Sequence, residues 1–110
     1  MRIVSRNEFL SCPHGTMFSK YEDVVFDSLC IKGDSTGNDF WYVSLADSVD
    51  CEDIVDVMVD RKSGQVFRFD FECYSRDGLF DSDQLFAVWD SEDVLNLINI
   101  LKKLPIKIER

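Results

Sequence analysis

Long apolar runs are missing from this chain. No stretch approaches the ~18 residues that span a bilayer, and the N-terminus has no apolar segment of signal-peptide length. The sequence therefore predicts a cytoplasmic protein without membrane contact. Histidine is nearly absent, and the only one, His14, sits between Pro13 and Gly15 where a turn residue is the ordinary explanation. A nucleophilic Cys12–His14 pair would need special geometry, and a zinc site would need further ligands converging from elsewhere. Close cysteine pairs are also lacking: Cys12, Cys30, Cys51 and Cys73 are separated by 18, 21 and 22 positions. Without a secretory signal they read as four reduced, mostly buried thiols. The glycine-containing stretch 33–37 lacks the Gly-Lys-Ser/Thr ending of a phosphate loop. Asp34, Thr36, Asn38 and Asp39 lack the bidentate Glu of a calcium loop. Neither a metal nor a cofactor is expected.

Basic residues are scarce where acids are dense. Residues 34–93 hold 16 Asp and Glu against four Lys and Arg, a net of −12, while the flanks hold five acids against eight bases, a net of +3, giving −9 in all. Direct nucleic-acid binding is disfavoured, because a phosphate-binding face must present Lys and Arg. Anionic membrane is disfavoured for the same reason.

What is present is a folded composition, 45% hydrophobic and 13% aromatic in 110 residues, which predicts one globular domain over residues 1–110. The middle of the chain carries the strongest pattern. Val55, Val57 and Val59 alternate with Asp56, Met58 and Asp60; after Arg61, Lys62, Ser63 and Gly64, Phe67, Phe69 and Phe71 alternate with Arg68, Asp70 and Glu72. A period of two on both sides of a glycine-ending turn predicts a β-hairpin over residues 54–73. A three-residue loop would pair Val59 with Phe67, Val57 with Phe69 and Val55 with Phe71 on a core face. Asp56, Asp60, Asp70 and Glu72 would share the other face. Cys51, Ile54, Val55 and Met58 also fit helical spacing, so residues 50–60 admit strand or helix, with β-branched content favouring strand.

Elsewhere, Ser5 and Glu8 form a capping-box pattern for a short helix to about Leu10. Strands are expected over residues 16–21, 24–32 (kinked at Asp27 and Ser28), 40–45 and 84–89, with turn chemistry throughout 33–39. A closing helix has Ser91 as N-cap, Glu92 and Asp93 in its first turn, and Pro105 as its stop. Its stripe of Val94, Leu97, Ile98, Leu101 and Leu104, widened by Leu95 and Ile100, is broad enough to cover a sheet, with spare width for a second subunit. The expected fold is α+β: a curled antiparallel β-sheet of five or six strands, covered by the C-terminal helix, with a short N-terminal helix.

No motif names a reaction. Asp56 would lie opposite Asp70 at ~5 Å between Cβ atoms, a spacing that suits a divalent cation or acid–base chemistry, but an open hairpin face implies no pocket. Trp41, Tyr42 and Trp89 are the residues for a nucleotide pocket, if one exists. Like charges opposed on a sheet destabilise it, so the acidic face serves solubility or a basic partner. Same-face residues recur every ~6.6 Å and duplex DNA carries a charge every ~3.4 Å on each strand, so two acidic strands approximate a phosphate row.

Three stretches carry a resemblance: Pro13, Gly15, Thr16 and Phe18 to Tyr21; Leu29 to Gly33; and Ser75 to Asp81 followed by Gln84 to Trp89. Together they resemble a family of small, uncharacterised, acidic proteins encoded by bacteriophages, with residues 46–70 fitting least well. The resemblance implies a phage setting, in which small acidic proteins often inhibit host defence or nucleic-acid enzymes. It carries no catalytic or binding residues to this chain. The expectation is a non-enzymatic inhibitor in the host cytoplasm that binds a basic surface of a host protein as a nucleic-acid mimic, through Asp56, Asp60, Asp70 and Glu72 with Asp77, Asp81 and Asp83 in support. The alternatives are a homo-oligomer joined through the C-terminal helix, or a small metal- or nucleotide-binding protein.

Overall fold

The computed structural model describes residues 1–46, 68–78 and 81–106. Among them the chain forms β1 (Arg2–Val4), α1 (Arg6–Leu10), β2 (Met17–Glu22), β3 (Val25–Phe26), β4 (Cys30–Thr36), β5 (Asp39–Ser44), β6 (Ser75–Asp77), β7 (Leu85–Val88) and α2 (Ser91–Leu101). The strands make one open sheet in the order β1-β7-β2-β4-β5-β6, with β3 paired to the end of β2. Every neighbouring pair is antiparallel. The architecture is α+β, with seven strands in the described residues where five or six were expected.

The core is aromatic and is closed by α1. Ser5 caps this helix as its sequence predicts, its hydroxyl accepting from the Glu8 amide at 3.3 Å. One turn later the helix drives Phe9 into the sheet, where its ring stacks on Phe86 at 4.1 Å and meets Phe18 at 4.5 Å and Phe40 at 4.9 Å. Val4, Cys30 and Val88 complete the buried cluster. A five-residue helix does the covering because one side chain is large enough to fill the centre.

The C-terminal helix is not laid over this core. None of the described residues of α2 is buried, and Leu95, Ile98, Ile100 and Leu101 are exposed. Its N-terminus is capped by Asp90 rather than Ser91, with a reciprocal capping box to Asp93. Both carboxylates also hold the chain's own amino terminus, at 3.1 Å from Asp90 and 2.6 Å from Asp93. These contacts raise the pKa of the Met1 ammonium, led by the bond to Asp93, and lower that of Asp90, led by the Asp93 amide.

Several further expectations are corrected. Strand β1, unforeseen in the sequence, pairs with β7 at the sheet edge. The stretch 33–39 is mostly strand: β4 runs on to Thr36, with a register shift against β5 between Lys32 and Ser35, and only Gly37 and Asn38 make the turn. Gly33 belongs in the strand because the Tyr74 ring lies over it; a Cβ there would sit 3.0 Å from that ring. The expected strand 24–32 is broken in two at its expected kink, giving β3 and β4, and β6 is a short edge strand beyond those expected from the sequence.

Of the expected 54–73 hairpin, the valine strand, the turn and Phe67 lie outside the described residues. Within them, Phe69 and Phe71 are exposed and stack on each other at 5.8 Å, so they do not build the core. The chain turns after Asp70, whose side chain accepts from the Glu72 amide at 3.0 Å and whose carbonyl accepts from the Cys73 amide at 3.3 Å. Cys73 is disulfide-bonded, which overturns the expectation of four reduced thiols, whereas Cys12 and Cys30 form no disulfide.

Candidate functional site

A group of exposed carboxylates lies at the end of the sheet where β2 turns into β3. Tyr21 and Glu22 of β2 pair with Phe26 and Val25 of β3, leaving Asp23 and Val24 as a two-residue loop. Both loop residues have positive φ, 50° and 59°, as the type I′ turns of tight hairpins require. Three acids belong to this hairpin, Glu22, Asp23 and Asp27, and all three are exposed.

A second acidic turn is brought beside it by the other neighbour of β2. Tyr21 pairs with Leu85 of β7, so the residues entering β7 run alongside the hairpin. Gln84 fixes the junction, its side-chain amide donating to the carbonyls of Tyr21 at 3.3 Å and Leu85 at 3.0 Å. Just before it, Asp81 accepts from the Asp83 amide at 3.0 Å in an Asx turn, and both carboxylates are exposed. A cleft of about 370 Å³ lies along the hairpin, walled by Glu22, Val25 and Phe26 and reached by Gln84 from the neighbouring strand.

Among the described residues, the cation bordering this end is paired elsewhere. Lys20 borders the cleft, but its ammonium lies 2.7 Å from Oδ2 of Asp77, whose side chain is only 4% exposed. Asp77 also faces the buried guanidinium of Arg6, at 3.9 Å from its Oδ1. Arg6 in turn donates to the Asn38 carbonyl at 3.2 and 2.6 Å. A carboxylate between two cations is an internal brace of the fold, joining α1, β2 and β6.

Of the acids singled out from sequence, Asp81 and Asp83 stand at the hairpin end. Asp77 is buried in the brace and so is not part of an exposed face. Asp70 is half-buried and Glu72 exposed in the turn that leads toward β6, and Asp56 and Asp60 lie outside the described residues. Glu22, Asp23 and Asp27 are not conspicuous in the sequence because the N-terminal flank that holds them, residues 1–33, balances four acids with four bases. The signal available was their crowding around Val24 and Val25, two apolar residues flanked by acids.

Among the described residues the other candidate groups are not brought together. His14 turns to Asp34, 3.1 Å from its Nδ1, and packs against Tyr74. Tyr42 borders an inner cavity with Phe18 and Lys20, Trp89 borders an apolar groove with Met1 and Leu97, and Trp41 is exposed, so the three do not share a pocket. Among the described residues no group of three or more His, Cys, Asp and Glu is arranged to hold a metal, and no helix is long and apolar enough to cross a membrane. No protein-family model matches the chain, and neither does any curated protein or solved structure.

Proposed function

We propose that the chain is a non-enzymatic, phage-type inhibitor that covers a basic surface of a host defence or nucleic-acid-processing protein, acting as a nucleic-acid mimic. The observation that carries this reading is the convergence of Glu22, Asp23, Asp27, Asp81 and Asp83, all exposed, on one end of the sheet while the adjoining Lys20 is held inward by Asp77. Solubility alone does not require five carboxylates to gather in one place, where each raises the cost of the next. The phage setting rests on the resemblance of three stretches of the sequence.

Glu22→Lys together with Asp83→Lys tests it, since neither carboxylate holds a turn in the described contacts. Tagged wild-type protein should capture one basic partner from bacterial lysate at low salt and release it in a salt step. The charge-reversed protein should capture none, and retention of the same partner at the same salt overturns the proposal.

A second reading, a homo-oligomer joined through α2, is favoured by the exposed Leu95, Ile98, Ile100 and Leu101 and by the apolar groove of about 310 Å³ between Met1, Trp89 and that helix. Sedimentation as a strict monomer at high concentration removes it.

A further inference from the structure

We infer that the β2–β3 turn is an apolar plug at the centre of the acidic end, fitted to an apolar patch bordered by Lys and Arg on a protein partner. The inference rests on the proposed function and adds to it what the contact contains besides charge. Three consecutive apolar side chains stand out at the turn, Val24 81%, Val25 63% and Phe26 51% exposed. Single exposed apolar residues are ordinary on protein surfaces, but here Val24 of the loop is followed by Val25 and Phe26 on the two opposite faces of the short strand, so the end of the hairpin is apolar on both sides.

The backbone makes the patch costly in the isolated protein. Val24 has φ of 59°, a left-handed conformation in which a β-branched residue is rare and for which Gly, Asn or Asp is the usual choice. A valine that is strained and almost wholly in water contributes little to the fold, so its side chain is explained by something outside it. The tip is also pre-shaped. The two-residue loop leaves little freedom, and the Tyr21 ring holds Phe26 from the side at 5.0 Å. Ordering before contact lowers the entropy lost on binding.

Charge selects the occupant. The apolar tip is flanked by Glu22, Asp23 and Asp27 of its own hairpin and by Asp81 and Asp83 of the neighbouring turn. An anionic bilayer is repelled by this ring, and a second copy of the chain would set like charges against each other. A protein surface with the reverse pattern, apolar at the centre and cationic at the rim, satisfies both parts at once.

The test uses two synthetic peptides of equal charge: an amphipathic helix of Leu and Lys with the leucines on one face, and a control in which every Leu is Ser. The full chain should bind the Leu/Lys peptide about ten-fold or more tighter than the control, with shifts in the Val24 and Val25 methyl resonances. Val24→Asn combined with Val25→Ser should erase that preference while leaving the charge-driven affinity for the control unchanged. Because Asn suits the left-handed position, Val24→Asn alone should not lower Tm, which separates lost contact from lost folding. Equal binding of both peptides, abolished by Glu22→Lys with Asp83→Lys, overturns the plug and leaves the proposed function standing. Binding of neither peptide overturns both, and preferential binding to phosphatidylcholine vesicles overturns the plug in favour of a lipid surface.

Discussion

Val24 and Lys32 are the two residues whose surroundings fit them least, and each predicts a measurable imbalance. A left-handed L-residue costs roughly 1–2 kcal/mol, so Val24→Asn should raise unfolding stability by about 1 kcal/mol in denaturant melts, although it replaces an apolar residue by a polar one. Lys32 is buried, its ammonium donating to the Gly33 carbonyl at 3.1 Å and the Ser35 hydroxyl at 2.8 Å, over the Phe9 ring. Desolvation lowers its pKa below the ordinary 10.5, opposed by Cys12 and Asp34. The folded chain therefore releases this proton at a lower pH than the unfolded chain, which binds more protons between the two values. Stability from this group rises with pH across that window, up to 10.5. Lys32→Met removes the effect, so the wild type should gain on the variant between neutral and alkaline pH when both are melted in parallel. Neither residue was conspicuous in the sequence: Val24 read as the start of a strand and Lys32 as its end. The environment that makes them unusual is built by residues distant in the chain.

At the scale of elements, the two helices exchange the roles their sequences imply. The longer one, α2, has the broader apolar stripe, yet none of that stripe is fully buried and most of it is exposed; the shorter, α1, closes the core through Phe9. Phe9→Ala should therefore cost about 3–5 kcal/mol, the usual loss for a buried aromatic, whereas Ile100→Ser should change stability by less than ~0.5 kcal/mol. Equal losses from the two would contradict this division. Amphipathic spacing states that a helix has an apolar side but not what that side meets. Capping was more legible than packing, because Ser5 with Glu8 is a local contact. Even there Asp90 displaced Ser91 as the cap, since its carboxylate completes a reciprocal bond with Asp93. The kink expected at Asp27 and Ser28 in the strand 24–32 is a full break, since β3 ends at Phe26 and β4 begins at Cys30.

For the whole molecule, the charge pattern has two layers. Inside, Asp77 braces Arg6 and Lys20, so part of the positive charge of the N-terminal flank is consumed in holding α1 and β2 to β6. Outside, the hairpin end keeps five carboxylates exposed. Salt screens the exposed repulsion far more than the buried brace, so moderate NaCl should raise the midpoint of thermal unfolding, with most of the gain lost in Glu22→Gln with Asp83→Asn. A midpoint that falls with salt would mean that surface attractions outweigh this repulsion.

The sequence by itself determined the acidic balance, the capped α1, the strands around Phe18, Phe40 and Phe86, and the α+β class. Each depends on composition or on neighbours within a few residues, where periodicity and hydrogen-bond spacing act directly. Only the tertiary structure decided that Phe9 fills the core while α2 buries none of its stripe, that Asp77 is internal, and that Asp81 and Asp83 stand beside Glu22, Asp23 and Asp27. The last of these follows from the pairing of β2 with β7, which joins segments more than sixty positions apart through backbone hydrogen bonds common to every residue type. Backbone bonds of that kind leave no residue signature, so the acidic end and its apolar tip emerge only when the strands are placed.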